Sequence, residues 1–295
     1  MTTDIPTDAL FVPTDRHGSQ FHDGEETIWS LPSPASEDAE GAVVPGTVTT
    51  PPAGGRIVLL DLDGLLDELG ERIFVAEASG DTARLVGETA WSASEAAKFA
   101  LDCAERVAAN AGSVALASGE TLADAIAAAR TWLEDASGAD TGLLGRISRL
   151  ATLRRLRRQA GEVGDVAFDA AIEVEAADAD MFSDERWTAI AAARDAVLAA
   201  IEAVRQDVFP HLSSAEGSAS ESERREGMQK PPTVVDTPWG AFRSTHTNAI
   251  VPAWVAAAEA AERARQAVTD AGGTDAAQAE RVWQRDRLAQ ALRGG

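Results

Sequence analysis

Two aspartates placed two residues apart are the feature of this sequence that most directly suggests chemistry. Asp61 and Asp63 follow the apolar run 57–60, which predicts a short buried strand. Carboxylates can act as nucleophiles or as acids and bases, and their oxygens are ligands that Mg²⁺ prefers. Asp61 and Asp63 are therefore the candidate residues of an enzyme alternative.

Residues further along the chain extend this alternative. Ser118 ends a second apolar run at 114–117, and Asp165 and Asp169 follow Gly164. Together with Asp61-Leu62-Asp63-Gly64, these pieces resemble the motifs of the haloacid dehalogenase superfamily. The resemblance implies a magnesium-dependent phosphohydrolase with a nucleophile at Asp61, an acid and base at Asp63, a phosphate ligand at Ser118, and Mg²⁺ held by Asp61, Asp63, Asp165 and Asp169.

The same aspartates also have a plainer interpretation. Leu65 stands where the superfamily usually has Thr or Val, and no Lys lies between Ser118 and Asp165. Short motifs of this kind match by chance in many proteins. The sequence therefore favours the interpretation that Asp61 and Asp63 are turn residues at the end of a strand. A catalytic role for the pair is the less favoured alternative.

One segment of the chain is strongly basic and predicts an interaction surface. Residues 146–158 carry six Arg, and apolar residues recur every three positions from 147 to 156. Guanidinium groups beside an apolar seam suit phosphate or an acidic partner. Alternatively, acidic residues at 165–180 on the following helix neutralise the positive charge of this segment within the chain. The net negative charge of the chain favours this second interpretation. The candidate interaction residues are Arg146, Arg149, Arg154, Arg155, Arg157 and Arg158.

Histidine and cysteine give little support for a metal or nucleophile site. Cys103, the one cysteine, excludes an internal disulfide framework and a cysteine-rich zinc site, and its place on the apolar face of a helix predicts a core residue. His17 and His22 lie in a segment that predicts loops, where exposed histidines are expected. Neither a P-loop nor a G-x-G-x-x-G fingerprint is present. No cofactor is expected unless the Mg²⁺ alternative holds.

The net charge of the chain limits the classes of partner that it can bind. Its 295 residues include 48 Asp and Glu against 26 Lys and Arg, a net charge of −22. This field repels nucleic acids and anionic lipids, so general nucleic-acid binding is not expected. No run approaches the roughly 20 apolar residues of a membrane-spanning helix, and the first residues lack a signal-peptide pattern. We therefore expect a cytoplasmic protein, or a virion component, with no membrane segment.

Hydrophobic periodicity predicts a mostly helical α+β fold, in which a small β-containing N-terminal unit precedes an Ala-rich antiparallel helical array. Residues 72–88 predict a hairpin, and separate helices are expected at about 143–160 and 164–179. The expected units are an irregular segment (1–56), a small β unit (57–90), a helical domain (91–210), a flexible linker (211–232), and a β-hairpin with a C-terminal helical pair (233–295).

The composition favours one of two origins for the acidity. The chain has 60 Ala, and its 26 basic residues include only two Lys. An excess of acids fits halophilic adaptation, and it fits an actinobacterial or phage protein equally well. The abundance of Ala, which fills helices, favours the second origin.

Several segments together resemble a group of phage and actinobacterial proteins. The segments are 70–73, 83–86, 91–107, 125–132 and 280–288, and the most specific is Asp102-Cys103-Ala104-Glu105-Arg106. They are similar to the Imm5-like immunity-protein group, in which a small β unit precedes an Ala-rich helical array. The resemblance implies a mobile-element context and binding without chemistry. The sequence therefore predicts a non-enzymatic protein that binds another protein, as an immunity or anti-defence factor or a virion component.

Overall fold

A computed structural model describes residues 9–22, 25–34, 43–47, 49, 57–139, 142–208 and 251–294. The predicted fold class is confirmed, because the chain is mostly helical with a small antiparallel sheet near its N-terminus. The strands are β1 (Leu10–Thr14), β2 (Ser19–His22), β3 (Glu25–Ile28), β4 (Ser33–Pro34), β5 (Val43–Val44), β6 (Arg72–Ser79) and β7 (Thr82–Glu88). The α-helices are α1 (Leu62–Leu65), α2 (Ala93–Val107), α3 (Leu122–Ser137), α4 (Leu143–Ala176), α5 (Glu185–Val208) and α6 (Ala253–Arg293).

The main sheet has the strand order β1-β6-β7, and all its pairs are antiparallel. The predicted hairpin is confirmed as β6 and β7, whose turn contains Gly80 at a φ of +62°, a conformation that favours glycine. The strand β1 lies in the segment 1–56, where the apolar run 9–12 is compatible with a short strand. Phe11 and Val12 are both fully buried, which covers this strand on both faces.

The caps of α2 and α3 follow from the sequence. The hydroxyl of Ser92 accepts a hydrogen bond from the Glu95 backbone N–H at the start of α2. Thr121 and Asp124 form a reciprocal capping box at the start of α3. Both arrangements satisfy backbone donors that the first turn of a helix would otherwise leave without partners.

The helices pack as antiparallel neighbours, as the ends that meet across each pair show. Helix α2 runs against α3, because Ser94 contacts Ser137 at one end while Asp102 pairs with Arg130 further along. Helix α2 also runs antiparallel to the part of α6 that follows Gly273. There Arg106 pairs with Glu280, and the backbone N–H of Ala90, just before α2, donates to the carbonyl of Leu292.

The helix α4 corrects the expectation of two helices at 143–160 and 164–179, because it is one continuous helix of 34 residues. Gly161 and Gly164 lie inside it. A glycine costs about 1 kcal/mol in a helix interior, which weakens a helix without ending it. Burial of Val163 and Ala167 outweighs that cost. The helix ends just before Asp178, a non-glycine residue with a positive φ of 53°.

The helix α5 lies at the centre of the array and packs against α2, α3, α4 and α6. Every residue from position 187 to 197 is buried, so this helix is covered on all sides. Its core face is mostly Ala with a few larger side chains such as Ile190 and Val197. Within the described residues no helix is both long enough and apolar enough to cross a membrane.

The helix α6 is interrupted at Gly273, whose backbone (φ 76°, ψ −168°) is not helical. The two parts turn back on each other, since the Gln284 side chain donates to the Ala261 carbonyl and Arg265 donates to Gln284. The predicted linker at 211–232 and the strands expected near 233–243 lie outside the described residues.

Candidate functional site

The aspartates of the motif Asp61-Leu62-Asp63-Gly64 have structural partners. The Asp61 carboxylate caps α1 by accepting a hydrogen bond of 2.8 Å from the Gly64 backbone N–H. Asp63 accepts from Arg281 of α6 at 2.9 Å, and Arg281 also pairs with Asp67 at 2.8 Å. The hydrogen bonds that Arg281 donates to the Asp67 and Asp63 carboxylates raise the pKa of its guanidinium. The motif therefore fastens α1 to α6.

The other residues expected around a magnesium ion lie elsewhere. The backbone N–H of Ser118, in an exposed turn, donates to the Glu162 carboxylate at 3.3 Å. Asp165 and Asp169 are exposed on α4. Across the described parts of the chain, no group of three or more His, Cys, Asp or Glu side chains is placed to hold a metal ion. The structure therefore does not bring Asp61, Asp63, Asp165 and Asp169 together.

Cys103 is a core residue, as expected from its position in α2. Its side chain is fully buried, and burial raises the pKa of its thiol well above the usual value. A neutral buried thiol is a poor nucleophile. The imidazole of His22 pairs with Glu68 at 2.8 Å, a contact that joins β2 to the turn after α1.

The six Arg of the basic block divide into one buried and five exposed residues. Arg149 is buried and donates to the carbonyls of Ala136 and Ala139, at 3.1 and 2.8 Å. It therefore satisfies backbone acceptors at the end of α3. The exposed residues are Arg146, Arg154, Arg155, Arg157 and Arg158.

The expected neutralisation by acids on a following helix does not occur in that form, because α4 includes the acids from Asp165 to Glu175. Arg154 and Asp165 are 11 residues apart, or about 16 Å along a helix axis, too far for an ion pair within one helix. Arg154, Arg157 and Arg158 form no ion pair with any residue that the structure describes. These cations are therefore available to a partner.

Four large apolar side chains are exposed beside the basic block. The apolar patch of α4 consists of Leu143, Leu144, Ile147 and Leu150, with exposed fractions of 74, 80, 53 and 38 %. By contrast, Leu153 and Leu156 of the same predicted seam are buried. Each step of three residues turns 300° around a helix, so a seam with this spacing moves 60° per step from the exposed to the buried side.

A second surface feature is a shallow cleft of about 330 Å³ between α2 and α6. Its acid Asp102 accepts from both Arg130 and Arg287, and its Arg106 lies 4.2 Å from the centre of the Trp283 ring. These charged groups bind one another, so the cleft serves to hold α2, α3 and α6 together. This cleft was not predicted from the sequence. The polar residues at helical spacing in 280–287 indicate a helix face with a polar contact, but the sequence does not show that their partners lie on α2.

The two segments that carry most of the resemblance to the Imm5-like group meet at this cleft. One contains Asp102 and Arg106, and the other contains Trp283 and Arg287. Comparisons with protein-family models, with curated proteins and with solved structures find no match. Membership of that group therefore stays a prediction.

Proposed function

We propose that this protein is a non-enzymatic interaction protein that presents the exposed side of α4 to another protein. In this proposal it is encoded by a phage or mobile element, acts as an immunity or anti-defence factor or as a virion component, and works in the cytoplasm or the virion. The observation that carries the proposal is the apolar patch of α4, with four large side chains exposed within eight residues.

The neighbouring charges support a protein as the partner. Contiguous exposed apolar side chains rimmed by polar residues mark interaction sites on soluble proteins. Arg is also enriched in protein interfaces, because its planar guanidinium binds carboxylates in pairs of hydrogen bonds. Arg146, Arg154 and Arg158 lie on or beside the patch and are exposed. The apolar patch can bury apolar surface of a partner, and the exposed Arg side chains can orient that partner by binding its carboxylates.

Affinity capture with matched variants tests this proposal. The tagged full chain is compared with Ile147→Asp/Leu150→Asp, which places two charges in the patch. The control is Val282→Asp, which places a charge at another exposed apolar residue, on α6. We expect a bound protein that survives the control change and is lost with the patch variant. A protein that binds all three equally, or no bound protein at any salt concentration, would contradict the proposal.

A further inference from the structure

We infer that the partner of α4 is a second copy of this chain, bound with its own α4 antiparallel to the first. This inference rests on the proposed function, because it names the occupant of the same surface. It is carried by an ion pair and an apolar pair that two antiparallel copies can form along the most exposed side of α4. We call this side the outer line of α4; it consists of Leu143, Ile147, Leu150, Arg154, Arg158, Gly161, Asp165, Asp169 and Ile172.

The outer line repeats every 11 residues, which is close to three helical turns, so its members lie on one side of the helix. The first third is apolar, from Leu143 to Leu150. The middle is basic and ends at Gly161. The last third is acidic and ends at Ile172, which is 40 % exposed. From Leu143 to Ile172 it extends about 43 Å at 1.5 Å per residue.

An antiparallel partner brings one apolar pair and one ion pair together along this line. With Ile147 opposite Ile172, a step of seven residues toward the middle from each end places Arg154 opposite Asp165. Arg158 then lies opposite Gly161, and Leu150 lies opposite Asp169. Because the two copies are related by a two-fold axis, each contact occurs twice. A parallel arrangement would instead place Arg154 against Arg154 and Asp165 against Asp165, and these like charges repel.

Glycine allows the two helices to approach at the middle of the line. Gly161 is exposed, and a Cβ atom added to it would meet nothing within 4 Å. The open space beside it can receive the long side chain of Arg158 from the other copy. An 11-residue repeat lies almost straight along a helix and favours a slight right-handed crossing, so the two helix axes must be nearly antiparallel for a long contact.

The charge of the whole chain favours a nearly neutral surface for self-association. The protein carries −22 charges, so two copies repel each other over most approaches. Helix α4 has six Arg against five Asp and Glu, which leaves one net positive charge. Of the outer-line charges, Arg154 and Asp165 form no ion pair with any described residue of their own chain. Because α4 is close to neutral, two α4 helices can meet without the net repulsion of the acidic surface, and the opposed Arg154 and Asp165 side chains attract each other.

Sedimentation equilibrium of the full chain measures the dimer dissociation constant. The protein concentration is varied over about three decades, from 1 µM to 1 mM. Arg154→Glu and Asp165→Arg change the net charge in opposite directions, and we expect each to weaken the dimer about tenfold. The double variant Arg154→Glu/Asp165→Arg restores the original net charge and recreates the pair in reverse. Its dissociation constant should return to within about threefold of the original.

Two further variants test the apolar contact. Ile147→Asp should weaken the dimer at least 100-fold, whereas Val282→Asp, at a similarly exposed residue of α6, should leave it unchanged. Opposite effects of the two single charge reversals would show a net-charge effect and overturn the inference. So would failure of the double variant to recover.

The same measurements separate this inference from the proposed function. A chain that stays monomeric up to 1 mM, yet loses another bound protein on Ile147→Asp/Leu150→Asp, overturns self-association and leaves the interaction function intact. A dimer that follows the expected pattern, with no other protein captured, supports self-association and contradicts binding of a different protein.

Discussion

Most acidic side chains near the helical core bind arginines of neighbouring helices. Asp195 of α5 is buried and accepts from Arg194 at 2.8 Å and from Arg263 of α6 at 2.9 Å. Asp102 has a similar place between α3 and α6. Helix faces made of Ala are smooth, so they resist sliding less than interlocking larger side chains do. Ion pairs between helices therefore specify which residues of these faces meet.

The acids around Arg263 give a matched test of this role. Asp195→Asn should lower the free energy of unfolding by about 3 kcal/mol, because two guanidinium groups lose a buried partner. Glu259→Gln removes the other acid that contacts Arg263, but Glu259 is largely exposed. Its loss should cost less than about 1 kcal/mol. Urea unfolding measures both changes, and equal costs would contradict the role assigned to the buried pair.

Asp61 gives a prediction that bears on the phosphohydrolase alternative. Asp61→Ala removes the cap of α1 and should lower the free energy of unfolding by about 1 kcal/mol, whereas Asp61→Asn keeps a capping oxygen and should be close to neutral. Neither change should alter turnover of a generic phosphate ester. Hydrolysis by the original chain that disappears in Asp61→Asn would instead support the enzyme.

At the scale of elements, helices could be predicted where their signals are local. The caps at Ser92 and Thr121 have a local signal, because hydroxyl side chains stand next to the first turn of each helix, and the apolar face of α2 has one in the spacing of neighbouring residues. The continuity of α4 could not be predicted, because burial against α5 decides it and local propensity does not. For the same reason the basic block could be located, but the burial of Arg149 could not. Contacts such as Asp63 with Arg281 depend on helices far apart in sequence.

Replacing Gly164 and replacing Gly273 by alanine should have opposite effects on the stability of the protein. Gly164 lies in regular helix, and an added Cβ would meet nothing within 4 Å. Gly164→Ala should stabilise the protein by about 1 kcal/mol and raise Tm by roughly 2–4 °C. Gly273 also has open space, but its φ of 76° and ψ of −168° suit glycine alone. Gly273→Ala should therefore lower Tm, and calorimetry of both variants checks the contrast.

At the scale of the whole molecule, sheet and helices share one core. Phe11 of β1, Leu65 of α1 and Ile73 of β6 belong to the same buried cluster as the helical residues Phe99 and Ile190. The β unit expected at 57–90 therefore pairs with β1 outside those bounds and packs on α2 and α6. A second, smaller cluster around Val12, Trp29 and Phe74 lies on the other face of the sheet.

The shared core predicts that sheet and helices unfold together. Calorimetry of the dilute chain should show one transition, with calorimetric and van 't Hoff enthalpies that agree. Replacing Phe11 by Ala should lower Tm and leave that transition single, because its ring is fully buried in the cluster that sheet and helices share. Two resolved transitions would show that the sheet folds on its own.

The central position of α5 has a consequence during translation. Its largest neighbour, α6, ends 85 residues after Val208, where α5 ends. At about 5–20 residues per second, the ribosome needs roughly 4–17 s to make that stretch. Throughout this interval the Ala, Ile and Val side chains that α6 later covers remain uncovered on the nascent chain. Prematurely terminated chains that lack α6 should therefore be substrates for chaperones and proteases.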